Sequence, residues 1–426
     1  MYYKQRFKDM LPKLSTINYK EVGLVLLPLL IFGKIFSFKP LVENAFINKI
    51  IIILYISFFL FCLPTIFRRV SPHYKIFHAV RHVIFVLCGA PLVGILIHNQ
   101  HFYSGFSFIS MSLSICMFFW LVRFKISSQS VIQAIFIYVL LAILIQSLCF
   151  LTFPNHIFGY NERLFELSEK TRETRGTIRF SIPGHDLLAC FIFYLINQKN
   201  NLKQNLPIII VLFLFFILRG TRFPLFVTLL ICITYLVMHT KYKFIILIFT
   251  IILIIPIATS TFNTILKSNS NNILIKYIQI TNKQLFESDE EDIRIRMAKY
   301  YLTEFNDSPL QIILGNGVPG DGTTYDKQIK RNMNFHSFFL SDIGYIQIFI
   351  YYGLIGICIY FILLYKALST DIVPQYEFAK LFVIFYFLSS LTGAYVLTNA
   401  LYMSLALYLI EINKRKPPKN KSLQAN

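Results

Sequence analysis

The sequence predicts an all-α polytopic integral membrane protein of about 12 transmembrane helices, with a large extracytoplasmic loop between helices 9 and 10. Three observations predict it. Hydrophobic residues make up 56% of the chain and charged ones 15%, with a mean hydropathy of +0.60, a balance foreign to soluble domains. Apolar runs near the roughly 20 residues needed to cross a bilayer recur from Val22 to Ile410, separated by short polar loops. One polar stretch, Phe262 to Ser341, interrupts them late in the chain. A segment of that length is seldom a mere connector and marks the expected working surface.

The spans are expected at 21–38, 48–67, 82–98, 106–122, 130–152, 184–197, 206–218, 223–239, 243–261, 343–365, 378–393 and 395–411. The run from Leu206 to Met238 is long enough for one helix, but Arg219-Gly220-Thr221-Arg222 and Pro224 divide it. An unpaired guanidinium is costly inside lipid, so two spans are expected there. The organisation is then 1–261 for helices 1 to 9, with an arginine-bearing external loop at 153–182, 262–342 for the large extracytoplasmic loop, 343–411 for helices 10 to 12, and 412–426 for a basic cytoplasmic tail. No internal repeat is visible.

Lys and Arg set the orientation. Lys4, Arg6, Lys8, Lys13 and Lys20 precede the first span, and Lys414, Arg415, Lys416, Lys419 and Lys421 follow the last, so both termini are expected in the cytoplasm. Counting spans inward puts the loops carrying Arg68, Arg69, Lys75 and Arg81, then Arg123 and Lys125, Lys199 and Lys203, Lys241 and Lys243, and Lys366 and Lys380 on the same side. The net charge of +20 is mostly this topological bias. No basic motif interleaved with aromatics supports a nucleic-acid role. The first apolar run lacks a small-residue exit and is expected to act as a signal anchor. All seven cysteines, at 62, 88, 116, 149, 190, 232 and 358, fall in expected spans, which implies neither a disulfide framework nor a metal cluster.

The chemistry is expected on the opposite face, where charge concentrates at three places. Arg172, Arg175 and Arg179 share a face at helical spacing, although Gly176 and Pro183 end or bend that element. Their plainer reading pairs them with Glu162, Glu166, Glu169 and Glu173 as a solvated helix, and Arg179 fits it least, with no acid close by in sequence. Arg219 and Arg222 sit in a tight external turn against the positive-inside tendency. They ask for an anionic partner, and a forked guanidinium suits phosphate or pyrophosphate. Snorkelling to lipid headgroups is the alternative.

The third place is the long loop. A pattern around Ile293, Met297, Tyr300, Tyr301, Leu302 and Phe305 predicts a small helical cap. After it, Leu310-Gln-Ile-Ile-Leu-Gly-Asn-Gly-Val-Pro-Gly-Asp-Gly reads as a compact turn whose glycines allow unusual backbone angles, without the Gly-Lys-Ser/Thr ending of a P-loop. The acidic run at 287–292 lacks calcium-loop spacing and reads as solvated surface. A lone His336 is more often structural than catalytic. Its place just outside a membrane span, near two arginine-bearing helix ends, makes it a candidate base beside candidate pyrophosphate binders.

Across Arg163 to Tyr365 the chain resembles the O-antigen polymerase and O-antigen ligase family of bacterial polysaccharide assembly. The residues carrying the resemblance are the arginine segment before a Pro-containing helix start, Arg219-Gly-Thr-Arg222, the large loop with Leu314-Gly-Asn-Gly317, His336, and Tyr352-Gly-Leu-Ile-Gly356. The chain departs from the family pattern in having Ser337 where Asn often follows the loop histidine, and Pro183-Gly184 where Pro-Asn is frequent.

The resemblance implies a bacterial inner-membrane glycosyltransferase with a periplasm-facing site, acting without metal or cofactor on an undecaprenyl-pyrophosphate-linked oligosaccharide donor. It implies membrane lipids as surroundings and a chain-length regulator protein as a partner. Carried onto this sequence, Arg179 or Arg175 and Arg222 neutralise the departing pyrophosphate, with Arg172 and Arg219 beside them, and His336 orients or deprotonates the acceptor hydroxyl. In a polymerase that acceptor is another lipid-linked repeat unit, and in a ligase it is lipid A-core. A lipid-linked sugar flippase is the reading from another class. It predicts charges within many spans, whereas here they cluster at one face.

Overall fold

The computed structural model describes residues 18–33, 35, 45–152, 184–198, 201–218, 222–239 and 293–415. Among them every extended element is a helix, and an isolated bridge pairs Ile372 with Lys414. The chain is thus an all-α membrane protein. Four helices are long and apolar enough to cross a bilayer: Lys49–Ile66, Lys75–His98, Ser128–Cys149 and Gly344–Ser369. Shorter apolar helices pack among them. The expected span at 243–261, the arginine loop at 153–182 and the acidic run at 287–292 lie outside the described residues.

The membrane helices of the first half are α1 Tyr19–Phe32, α2 Ala45–Ile66, α3 Lys75–His98, α4 Phe102–Ile109, α5 Met117–Phe124, α6 Ser128–Thr152, α7 Leu187–Asn197, α8 Leu202–Leu218 and α9 Arg222–His239. Three short helices follow, α10 Ile293–Thr303, α11 Pro309–Leu314 and α12 Thr324–His336. The chain then returns through α13 Gly344–Ser369, α14 Glu377–Ser389, α15 Tyr395–Thr398 and α16 Ala400–Ile412. α1 packs on α6, α7 on α14, α14 on α16, and α3 on α13. α16 is the most enclosed, buried from Ala400 to Glu411.

Among the described residues, the helix ends that border the basic loops gather at one end of this bundle. There Glu21 accepts from Ser127 and Ser130, Asn197 donates to the Pro374 carbonyl, Tyr235 donates to Asn197 at 2.5 Å, Asn413 receives Ser128, and Lys414 reaches the His73 carbonyl. These bonds bring the starts or ends of α1, α3, α6, α7, α9, α14 and α16 to a common level.

Several span edges differ from the sequence expectation, each for a local reason. α3 starts seven residues before 82 because the Glu411 carboxylate accepts from the backbone N–H of Ile76 (2.9 Å) and Phe77 (3.2 Å), satisfying donors that a helix start otherwise leaves open. The expected 106–122 span is α4, a 3-10 turn at Ser112–Cys116 and α5. The expected 378–393 helix stops at Ser389, and 395–411 is divided at Asn399, whose φ of −111° and ψ of 25° separate α15 from α16.

Glu411 thus caps the start of α3. Its side chain is 2% exposed and also pairs with Lys414. Glu411→Ala leaves two helix-start donors without their acceptor, a cost of about 1–3 kcal/mol, and Glu411→Gln, which keeps a carbonyl oxygen for them, recovers part of it. Thermal unfolding of the purified protein in detergent reads both; equal midpoints for Glu411→Ala and wild type would show that the cap contributes nothing.

Candidate functional site

At the end opposite the basic loops, α10, α11 and α12 form a layer over α3 and α13. Its core is aromatic and follows the expected cap pattern in part. Met297, Tyr301 and Phe305 are buried, while Ile293 and Leu302 face outward. Tyr301 meets Phe305 at 4.9 Å and Tyr300 meets Phe338 at 5.6 Å between ring centroids. Burial pushes the Tyr301 phenol up to about 12, so it stays neutral.

The glycine-rich segment expected as one compact turn divides in two. Leu310 to Leu314 are helical, because Ser308 and Gln311 form a reciprocal capping box at the start of α11. Only Gly315 to Gly322 make the turn, with Gly315, Gly317 and Gly322 at positive φ. The turn is pressed against two membrane helices. A Cβ on Gly315 would lie 2.5 Å from the Gly353 nitrogen of α13, and one on Gly317 would lie 2.5 Å from the Gly94 nitrogen of α3. The two motifs that carried the family resemblance, Leu314-Gly-Asn-Gly317 and Tyr352-Gly-Leu-Ile-Gly356, therefore meet backbone to backbone.

Gly353 makes that contact possible by breaking α13. Its φ of 63° and ψ of −165° take it out of the helix and open the ladder, and the Asn316 N–H donates to the Ile350 carbonyl at 2.7 Å. The Asn316 side chain bonds Asn306 (2.8 Å) and lies 3.3 Å from His98 Nε2. Gln100 holds the other side of the turn, donating to the Val318 carbonyl (2.6 Å) and accepting from the Gly320 N–H (2.9 Å). His98 stacks on Tyr325 at 4.2 Å, and the Tyr325 phenol, kept neutral by burial, donates to the Gly317 carbonyl.

His336 is the last residue of α12 and is exposed, with its ring 5.4 Å from that of Phe338. Ser337 ends the helix in the left-handed conformation, φ 55° and ψ 31°. That region favours Asn over Ser, so the position where this chain departs from the family pattern is one where backbone shape matters. Beyond it the layer is stapled to the α14–α15 break by Gly344 N–H to the Ser390 carbonyl (2.9 Å) and Ala394 N–H to the Ser341 carbonyl (3.0 Å). Arg222 opens α9. Arg172, Arg175, Arg179 and Arg219 lie outside the described residues, as does the Arg222 side chain. Among the described residues no group of three His, Cys, Asp or Glu comes together as metal ligands would.

Sequence reasoning missed the docking residues His98, Gln100 and Asn306, and a polar core near the start of α7, and it singled out Asn316 only as part of its motif, without a role. There Asn399 donates to Asp186 at 2.6 Å, Tyr138 and Tyr402 lie 3.0 Å apart, and Tyr402 donates to the Gly33 carbonyl. One signal for this core was in the sequence: His185-Asp186 lies at the edge of an apolar run, where ionisable residues are costly.

The fold and this layer define a polytopic membrane protein whose late segment between α9 and α13 is locked onto two of its own spans. Comparison with known families finds a likeness that includes that segment. The family model described as O-antigen ligase matches residues 207–361, from α8 through α13. Over these residues, less than half of its length, the chain is similar to the O-antigen ligase family, which supports a function in polysaccharide assembly. No curated protein matches the chain.

Proposed function

We propose that this protein is a surface-polysaccharide polymerase, by analogy an O-antigen polymerase, that transfers a glycan from an undecaprenyl-pyrophosphate donor onto a lipid-linked repeat unit at the periplasmic face of the inner membrane. The observation that carries the reading is the reach of the family match. Residues 207–361 hold Arg219, Arg222, the docked layer, His336 and the Gly353 break in one block.

The division of labour follows from the chemistry. As the glycosidic carbon leaves, the pyrophosphate gains negative charge, and fixed guanidinium groups stabilise that charge more in the transition state than before it. Arg222 with Arg179 or Arg175 takes that part, and Arg172 and Arg219 bind alongside. His336, exposed at the end of α12, meets an acceptor hydroxyl arriving from water. A chain-length regulator is the expected protein partner.

The ligase is a second reading, favoured by the description of the matching family model. The electrophoretic ladder of surface lipopolysaccharide from cells lacking this chain, with and without a plasmid copy, separates the two. Core bearing a single repeat unit is the result expected of a lost polymerase. Bare core, with polymer retained on the carrier, means ligase, and an unchanged ladder overturns both for lipopolysaccharide and points to transport or another glycan.

A further inference from the structure

The depth of the Leu314-Gly-Asn-Gly317 turn is fixed by two helices independently. Along α3, Gly94, against which Gly317 packs, stands thirteen residues beyond Arg81, the last Lys or Arg before the apolar stretch. Arg81 Nη2 turns back one helical turn to His78 Nδ1 at 2.9 Å, toward the basic end. Along α13, Gly353, against which Gly315 packs, stands thirteen residues from Lys366 near the other end of that helix. Each interval rises about 20 Å at about 1.5 Å per residue. A hydrocarbon core is about 30 Å thick, which leaves the turn about 10 Å inside its far boundary. Snorkelling at the basic end raises the turn somewhat, and helix tilt lowers it.

Backbone at that depth obeys a strict rule: helical segments may face lipid, but irregular ones must be covered by protein with their polar groups satisfied. The segment follows it in its burial and in the backbone hydrogen bonds it makes. Gly315 to Gly320, the irregular part, are all buried. The Gly315 and Asn316 N–H groups donate to the Gln311 and Ile350 carbonyls, the Gly320 N–H donates to Gln100, and the Gly317 and Val318 carbonyls accept from Tyr325 and Gln100. α11, the helical part, closes its own start: Gln311 Oε1 accepts from the N–H groups of Asp307 and Ser308, and Ser308 Oγ accepts from Gln311. Only Gln311 of its central residues turns inward. Leu310, Ile312 and Ile313 point outward, 51%, 38% and 47% exposed.

That apolar face is continuous with the outer surface of the membrane helix beneath it. The Ile313 carbonyl lies against Gly353, and the next two residues of α13, Leu354 and Ile355, are themselves exposed where the helix crosses the bilayer. Phe108 of α4, 47% exposed, sits edge-on to Tyr351 on the neighbouring flank.

We propose that Asp307 to Gly320 form a re-entrant segment that dips into the half of the bilayer opposite the basic loops, with Leu310, Ile312 and Ile313 of α11 in contact with lipid acyl chains. The external loop is then not wholly a water-borne domain. Its Asp307 end sits at the interface, α11 descends through about 9 Å at about 1.5 Å per residue, and the covered glycine turn carries the chain back out to Asp321 and α12. An aqueous cap over the bundle is the arrangement this replaces.

The chain contains one tryptophan, Trp120, so fluorescence can report depth. In a Trp120→Phe background, Ile312→Trp is compared with Ile355→Trp on the α13 surface and Asp321→Trp on the exposed turn, each reconstituted into phosphatidylcholine vesicles with bromine on the acyl chains. The expected result is blue-shifted emission from position 312, quenched by the brominated lipid as strongly as 355, with 321 unquenched. Emission from 312 that is red-shifted and quenched by aqueous iodide overturns the proposal. So does emission that neither quencher reaches, which would mean that another part of this chain covers α11. Should the Trp120→Phe background fail to fold, Ile312→Cys and Asp321→Cys in the natural chain are treated in spheroplasts with a membrane-impermeant maleimide. Labelling of 321 with protection of 312 supports immersion, and equal labelling refutes it. Neither measurement depends on polymerase activity, so the proposal and the functional reading can fail separately.

Discussion

Gly353→Ala is expected to lower the thermal midpoint of the detergent-solubilised protein by more than Glu411→Ala does. Two costs combine. At φ 63° and ψ −165° the backbone occupies a region open essentially to glycine alone, worth about 1–3 kcal/mol against any other residue. The added Cβ would also fall against the Ile313 carbonyl and the Gly315 nitrogen, both backbone atoms that cannot swing aside. Overpacking of that kind costs about 1–3 kcal/mol more. If the substituted position relaxed into helical geometry instead, Ile350 would regain a helical donor and lose the Asn316 bond, and the turn would be displaced from α13. Gly89→Ala is the control. It lies in α3 with no atom within 4 Å of its added Cβ, and a helical Gly→Ala change there should be neutral or slightly stabilising, by about 0.5–1 kcal/mol. Equal midpoints for the two glycine variants would show that the Gly315–Gly353 contact is not where the layer is held.

Arg222→Ala should act on rate and leave stability alone. On the proposed chemistry it removes a fixed positive charge from a leaving pyrophosphate, and loss of one such group typically costs about 10²- to 10³-fold in turnover. Arg222→Lys should recover only part, because an ammonium cannot grip two phosphate oxygens as a planar fork does. The measurement is polymer formed per unit time in membrane vesicles supplied with lipid-linked repeat units, with protein level and thermal midpoint checked alongside. Arg123→Ala is the matched control, since Arg123 lies over the Phe61 ring at 3.8 Å at the basic end of the bundle. Wild-type turnover from Arg222→Ala would remove the residue from the mechanism. Slow turnover with a lowered midpoint would assign it to structure instead.

The residues of the site also divide by origin. Arg222 could be picked out from the sequence because a basic residue at a tight turn between apolar runs violates a one-dimensional rule. His336 could be picked out for its place between a polar loop and a span. Gln100 and Asn306 could not. Each is an ordinary amide in a loop until the fold brings α3 and the glycine turn together, 218 residues apart in sequence for the pair Gln100 and Val318. Leu310, Ile312 and Ile313 were legible only as part of a loop, because a six-residue helix is too short to register as a hydrophobic run of membrane length.

Membrane class, the helical alphabet, the division at Arg219–Arg222 and the gathering of basic loops at one end were determined by the sequence itself. Hydropathy and charge are properties of single residues, and the bilayer reads them in order along the chain. What only the tertiary structure decided is where the helices break and what the breaks serve. Gly353 and Asn399 leave the helix in the middle of apolar runs that look continuous. Whether a glycine is merely tolerated, as at 89, or required, as at 353, depends on which backbone arrives opposite it. A sum over local preferences contains no such partner, because close approach of two backbones is a fact about pairs of residues brought together by folding.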